Sequence, residues 1–131
     1  MTDQELVDRA IKMQEFSYVP YSRFPVGAAL LCDDGTVFTG CNVENAAFGS
    51  TICAERTALL KAVSEGRRTG WMTLAIAGRG SDFCWPCGAC RQMLYEFAPG
   101  LRVLAARGDG AFDTATLDQL MPHGFGPLSL K

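Results

Sequence analysis

Apolar positions along this chain switch between a spacing of three to four and a spacing of two, and the switches mark its elements. Leu6, Val7, Ala10 and Ile11, extended by Gln14, form a stripe at helical spacing behind a capping box of Thr2 and Glu5. They predict a first helix that ends before Pro20. The apolar run Val26 to Leu31, the turn Asp33-Asp34-Gly35 and the return Thr36 to Gly40 predict a β-hairpin. A polar loop, Cys41 to Thr51, follows. From Cys53, the positions Ala58, Leu59, Ala62 and Val63 share one helical face, with Gly66 as a left-handed stop. Trp71 to Ala77 reads as a buried strand. After the loop Gly78 to Trp85, Pro86 suits a helix entrance, Met93, Leu94 and Phe97 give the stripe, and Pro99-Gly100 ends it. Arg102 to Ala106 is another strand and Gly108-Asp109-Gly110 a turn; Ala111 to Asp113 forms a short edge strand, and Thr116 with Gln119 caps a last helical turn before Pro122.

This order predicts an α/β fold: one domain over residues 1–131, with a mixed sheet of about five strands and helices on both faces. At 131 residues and 48% hydrophobic, the chain is long enough for one core and short for two. Twelve basic residues against fourteen acidic ones give a formal charge of -2, which offers no basic field to a phosphate backbone, so long nucleic acid is not an expected partner. No apolar run approaches the ~18 residues of a membrane span, and the polar start Met1-Thr2-Asp3-Gln4-Glu5 does not read as an export signal. A cytoplasmic location is expected. In a reducing compartment, six cysteines point to metal binding or catalysis rather than to disulfides.

The chemistry lies in their spacing. Cys87 and Cys90 stand one turn apart at the start of a predicted helix, and Cys53 opens another. Helix N-termini lower thiol pKa values and favour the thiolate that zinc requires. Cys53-Ala54-Glu55 with Pro86-Cys87-Gly88-Ala89-Cys90 is the three-cysteine form of the zinc-deaminase signature, in which the acid two residues after the first ligand moves protons and does not bind metal. Three ligands leave a position open for water. A fourth would close the site, and Cys84, in Cys84-Trp85-Pro86-Cys87, makes a closed structural site the main alternative; that alternative gives Glu55 no task. Arg56 follows Glu55 and is placed to donate to a ligand sulfur, offsetting the negative charge of three thiolates; otherwise it is a surface arginine.

With these residues in view, the chain resembles the small homotetrameric zinc-dependent cytidine deaminases along nearly its whole length. The similar blocks are Tyr21-Ser22-Arg23-Phe24-Pro25-Val26-Gly27-Ala28-Ala29-Leu30, Gly40-Cys41-Asn42-Val43-Glu44-Asn45-Ala46, Cys53-Ala54-Glu55-Arg56-Thr57-Ala58, Pro86-Cys87-Gly88-Ala89-Cys90-Arg91-Gln92, and Leu120-Met121-Pro122 with Phe125-Gly126-Pro127. The resemblance implies a three-layer sandwich holding one zinc ion per chain on Cys53, Cys87 and Cys90, with Glu55 as the catalytic acid and base. It implies hydrolysis of cytidine and 2'-deoxycytidine to uridine and 2'-deoxyuridine with release of ammonia, a step of pyrimidine salvage. It also implies that Asn42 and Glu44 hold the ribose hydroxyls, that backbone near Ala54 reads the pyrimidine edge, that Phe24 packs beside the nucleoside, and that Phe125 stacks on the base in a neighbouring subunit of a homotetramer. An ionised Glu accepts and an Asn both donates and accepts, which suits a neutral sugar; polar loop residues that serve turns are the other reading.

One departure stands out: many members carry Tyr where this chain has Phe48, so any contact made by that hydroxyl is lost. Cys32 and Cys41 read as small hydrophobes on strands, His123 as a tail residue, and Trp71 and Trp85 as core or interface fillers. Other functions compatible with parts of the pattern are a polynucleotide deaminase, a deaminase of a cytosine-containing nucleoside antibiotic, a non-catalytic zinc module and a thioredoxin-like redox protein. The net negative charge disfavours the first, Asn42-Val43-Glu44-Asn45 favours an ordinary nucleoside over the second, and Glu55 disfavours the last two.

Overall fold

Side chains that alternate across a strand need cover on two sides, and the sheet of this protein has it. The computed structural model describes residues 1–130. Its five strands are β1 (Val26–Cys32), β2 (Val37–Cys41), β3 (Trp71–Gly78), β4 (Arg102–Ala106) and β5 (Phe112–Thr116), in the spatial order β2-β1-β3-β4-β5. β1 pairs antiparallel with β2 and β3, β3 pairs parallel with β4, and β4 pairs antiparallel with β5. The sheet is therefore mixed. Its one parallel pair needs a long crossover, which the segment containing α3 (Gly88–Phe97) supplies. The other helices are α1 (Asp3–Met13), α2 (Ala54–Ser64) and the short α4 (Leu117–Leu120).

Ala29, Ala75, Ala77, Leu104 and Ala106 face one way and pack under Leu6, Val7 and Ala10 of α1. Their neighbours Ala28, Leu30, Leu74, Ile76 and Val103 face the other way, under Ala58, Leu59 and Ala62 of α2 and Leu94 of α3. This is the expected three-layer arrangement. The capping box forms as its sequence requires, with Glu5 N donating to Thr2 Oγ1 at 3.1 Å and Thr2 N donating to Glu5 Oε1 at 3.2 Å.

The first α-helix stops at Met13 and continues as a 3-10 turn to Phe16, ending before Pro20 as its sequence predicts. Other boundaries differ from the sequence reading. Pro86 is not the helix entrance: Cys87 takes the N-cap with extended backbone, so α3 starts at Gly88. β5 extends to Thr116, because pairing with β4 from Ala106 to Arg102 carries it past Asp113.

Gly40 fixes the layer that matters for the site. A methyl group there would lie 2.4 Å from Ala54 O and 2.6 Å from Ala58 N, so β2 and the start of α2 touch backbone to backbone. Only glycine permits that approach. It sets the depth at which α2 presents Cys53 and Glu55.

Candidate active site

Two helix starts meet here. Cys53 and Cys87 are the N-caps of α2 and α3, and neither thiol caps its own helix, which leaves both sulfurs for a metal ion. Cys90 lies one turn into α3 and is fully buried. The Sγ atoms of Cys53, Cys87 and Cys90 all lie within 4.8 Å of one another, with Cys53 Sγ 3.8 Å and Cys90 Sγ 3.3 Å from Cys87 Sγ. No other group of three or more potential ligands converges in this way among the described residues. Cys84 stands outside it. Its Sγ packs over Gly78, 3.2 Å from where a Cβ on that residue would sit, and its N–H donates to Ala106 O at 3.3 Å. Three soft sulfur donors on two rigid helix starts fit zinc, and a set of three is that of an open site rather than a closed one.

Electrostatics distinguish two of the three thiols. Hydrogen bonding from Cys90 brings the Cys53 thiol down to about 5 against the opposing effect of burial, with Arg56 and Cys87 contributing. Cys90 moves the opposite way, raised first by its hydrogen bond to Cys53 and then by burial. The proton is thus held less firmly at Cys53 than at Cys90. Burial pushes the Cys84 thiol up to about 11, keeping it neutral and apolar. Arg56 Nη2 donates to Cys53 Sγ at 3.4 Å and to Thr51 O at 3.1 Å, while its Nε is buried with no partner.

Glu55 is only 5% exposed. Burial pushes its carboxyl up to about 7, and the Cys53 charge adds to the rise. Glu55 shares a cavity of about 180 Å³ with Val26, Asn42, Thr51, Cys53, Ala54, Cys84, Trp85 and Cys87. That is below the ~300–1,000 Å³ of pockets that enclose drug-sized ligands, and it matches a single ring better than a whole nucleoside. A second recess of about 340 Å³, lined by Tyr21, Ser22, Glu44, Phe48 and Thr51, adjoins it through Thr51.

The sugar-binding candidates are braced by backbone. Asn42 Oδ1 accepts from Val26 N and its Nδ2 donates to Phe24 O, both at 2.9 Å. Glu44 Oε1 accepts from Tyr21 N at 2.9 Å and Ser22 N at 3.0 Å. Each residue does the turn-serving work of a loop, yet Asn42 keeps one N–H and Glu44 one oxygen for another partner. Phe24 lies against Gly78 and Gly80 and is not in the wall of either recess. Phe125 is 59% exposed, on a tail whose Gly124 and Gly126 pack against Tyr95, and it too lies outside both recesses. Phe48 is exposed and meets Tyr21 edge to face at 5.2 Å.

Thr51, Val26 and Trp85 line the cavity and were not read as site residues from the sequence. Trp85 had one legible signal, its place two residues before a candidate metal ligand, Cys87.

Comparison with known proteins agrees with this geometry. The family profile "Cytidine and deoxycytidylate deaminase zinc-binding region" matches residues 1–106. A cytidine deaminase of Sporosarcina psychrophila is 45% identical over 100% of this chain and 96% of its own length. The crystal structure of a cytidine deaminase from Burkholderia pseudomallei superposes with a TM-score of 0.92 at 42% identity, covering 95% of this chain and 100% of the other. That from Mycobacterium tuberculosis gives 0.81 at 38% identity, covering 96% and 99%.

Proposed function

The chain belongs to the cytidine and deoxycytidylate deaminase family, and from that premise we propose that it hydrolyses cytidine and 2'-deoxycytidine to the corresponding uridines and ammonia. Cys53, Cys87 and Cys90 hold one zinc ion per chain. When bound, zinc supplies the Lewis acidity that makes water nucleophilic near neutral pH.

The observation that carries the reading is the burial of Glu55 in the wall of the cavity that Cys53 and Cys87 also line. A carboxyl with its affinity for protons raised to about 7 can take a proton from water and return it near neutral pH. Glu55 receives the water proton and delivers it to the ring nitrogen N3. The oxygen adds to C4, its remaining proton passes through Glu55 to the exocyclic amine, and the bond from C4 to that amine breaks to release ammonia as the C4 carbonyl forms. Backbone at Ala54 orients the base edge, and the free groups of Asn42 and Glu44 take the ribose hydroxyls. Arg56, bonded to Cys53 Sγ, tempers the charge of the thiolates.

The assembly is a homotetramer. Its support is the exposure of the aromatic side chains of Phe16, Tyr18, Phe48 and Phe125, which a monomer would leave in water. In that assembly Phe125 completes a neighbour's base site and Phe24 packs beside the nucleoside. Pyrimidine salvage in the cytoplasm is the setting; no helix of the described residues is long and apolar enough to cross a membrane.

Ammonia release from a panel of cytosine-containing compounds, by purified protein of measured zinc content, tests the reading. Turnover of cytidine and 2'-deoxycytidine at low and high salt alike is expected. Turnover confined to a nucleoside antibiotic or to single-stranded polynucleotide would replace it.

A further inference from the structure

We propose that Trp85 sets the size limit of the base cavity, closing it against substituents at C5 of the pyrimidine ring. The inference rests on the deaminase reading above and concerns which cytosine nucleosides the site accepts.

The placement follows from what each edge of the ring meets. Glu55 and Ala54 serve the N3 edge, and C4 faces the cysteines. The sugar on N1 leads through Thr51 to the recess that holds Glu44. The walls that remain are Val26, Cys84 and Trp85. Val26 N donates to Asn42 Oδ1 at 2.9 Å, which places Val26 at the sugar end of the cavity and so toward C6. Cys84 and Trp85 run through Pro86 directly into Cys87, at the C4 end. The edge they meet is C5.

Trp85 is also half-buried in a segment braced on both sides of it. One side of it packs against the core under α2 and α3 while another lines the cavity. Both neighbours are pinned: Cys84 N donates to Ala106 O at 3.3 Å, and Arg91 Nε donates to the carbonyl of the fully buried Pro86 at 2.7 Å. The Cys84 side chain behind it is wedged on Gly78. A wall fixed on both flanks rejects an added alkyl group instead of moving aside, because a packed interior does not adapt cheaply to extra volume.

The test compares kcat/KM for 5-ethylcytidine and cytidine in the wild type, Trp85→Phe, Trp85→Leu and Trp85→Ala, each with zinc content measured. The 5-ethyl to unsubstituted ratio is expected to rise by roughly tenfold or more in Trp85→Ala, with Trp85→Leu between it and the wild type and Trp85→Phe close to wild type. The dissociation constants of the products 5-ethyluridine and uridine, read by calorimetry, should shift in the same direction. If Trp85→Ala fails to hold zinc, Trp85→Leu carries the comparison. A ratio unchanged in a zinc-loaded variant, or an equal loss for both nucleosides, overturns the proposal and makes Trp85 a packing residue. Absence of cytidine turnover in the wild type would instead count against the deaminase reading.

Discussion

Arg56 Nη2 donates to Cys53 Sγ at 3.4 Å from one turn further along the same helix, so the first turn of α2 carries a candidate metal ligand, the candidate proton carrier and a cation bonded to the ligand sulfur. Three thiolates on a divalent ion leave about one unit of negative charge, which opposes formation of a further anion beside it. Arg56→Gln should therefore keep the fold and the zinc while lowering kcat/KM by about 10–100-fold, the usual range for partners that hold a ligand. An unchanged rate and pH profile would show that the guanidinium only packs.

Cys84 separates the open from the closed metal site. Its sulfur is seated on Gly78, apart from the Cys53, Cys87 and Cys90 cluster. Cys84→Ala is expected to retain one zinc per chain by elemental analysis, whereas Cys53→Ala, Cys87→Ala or Cys90→Ala should lose zinc and folded protein together. Loss of zinc from Cys84→Ala would make it a fourth ligand.

Helical spacing and capping residues make the layers legible in the sequence, because a stripe such as Leu6, Val7 and Ala10 must be buried against another element, here the sheet. The cysteine spacing likewise announced the convergence of Cys53, Cys87 and Cys90. The cavity wall was less legible. Thr51 and Trp85 sit in irregular segments with no period to read, and only the approach of β2 to α2 at Gly40 brings Thr51, Asn42 and Glu55 around one space. The helix boundary at Pro86 was misplaced for a local reason: proline suits a first helical position, but here Cys87 takes the cap and Pro86 turns the chain into it.

Phe125 is 59% exposed and absent from the wall of its own chain's cavity, which is compatible with service in a neighbour's. Base–aromatic stacking is worth ~1–3 kcal/mol in single-stranded nucleic-acid complexes, so Phe125→Ala should lower kcat/KM by roughly 5- to 150-fold with zinc retained. Co-refolding Phe125→Ala chains with Glu55→Gln chains reads the geometry directly. Activity above the sum of the two variants is expected, since some mixed sites then join a native Glu55 to a native Phe125 from another chain. Strictly additive activity would assign Phe125 to its own chain.

The most direct measurement is zinc content and turnover of Glu55→Gln in one preparation. The amide keeps the size of the side chain in a wall where Glu55 is 5% exposed, but it cannot take up and return a proton. Zinc at one per chain with cytidine turnover reduced by about 10²–10⁴-fold is the expected result. Near-normal turnover in the zinc-loaded variant would contradict the assignment of proton transfer to Glu55.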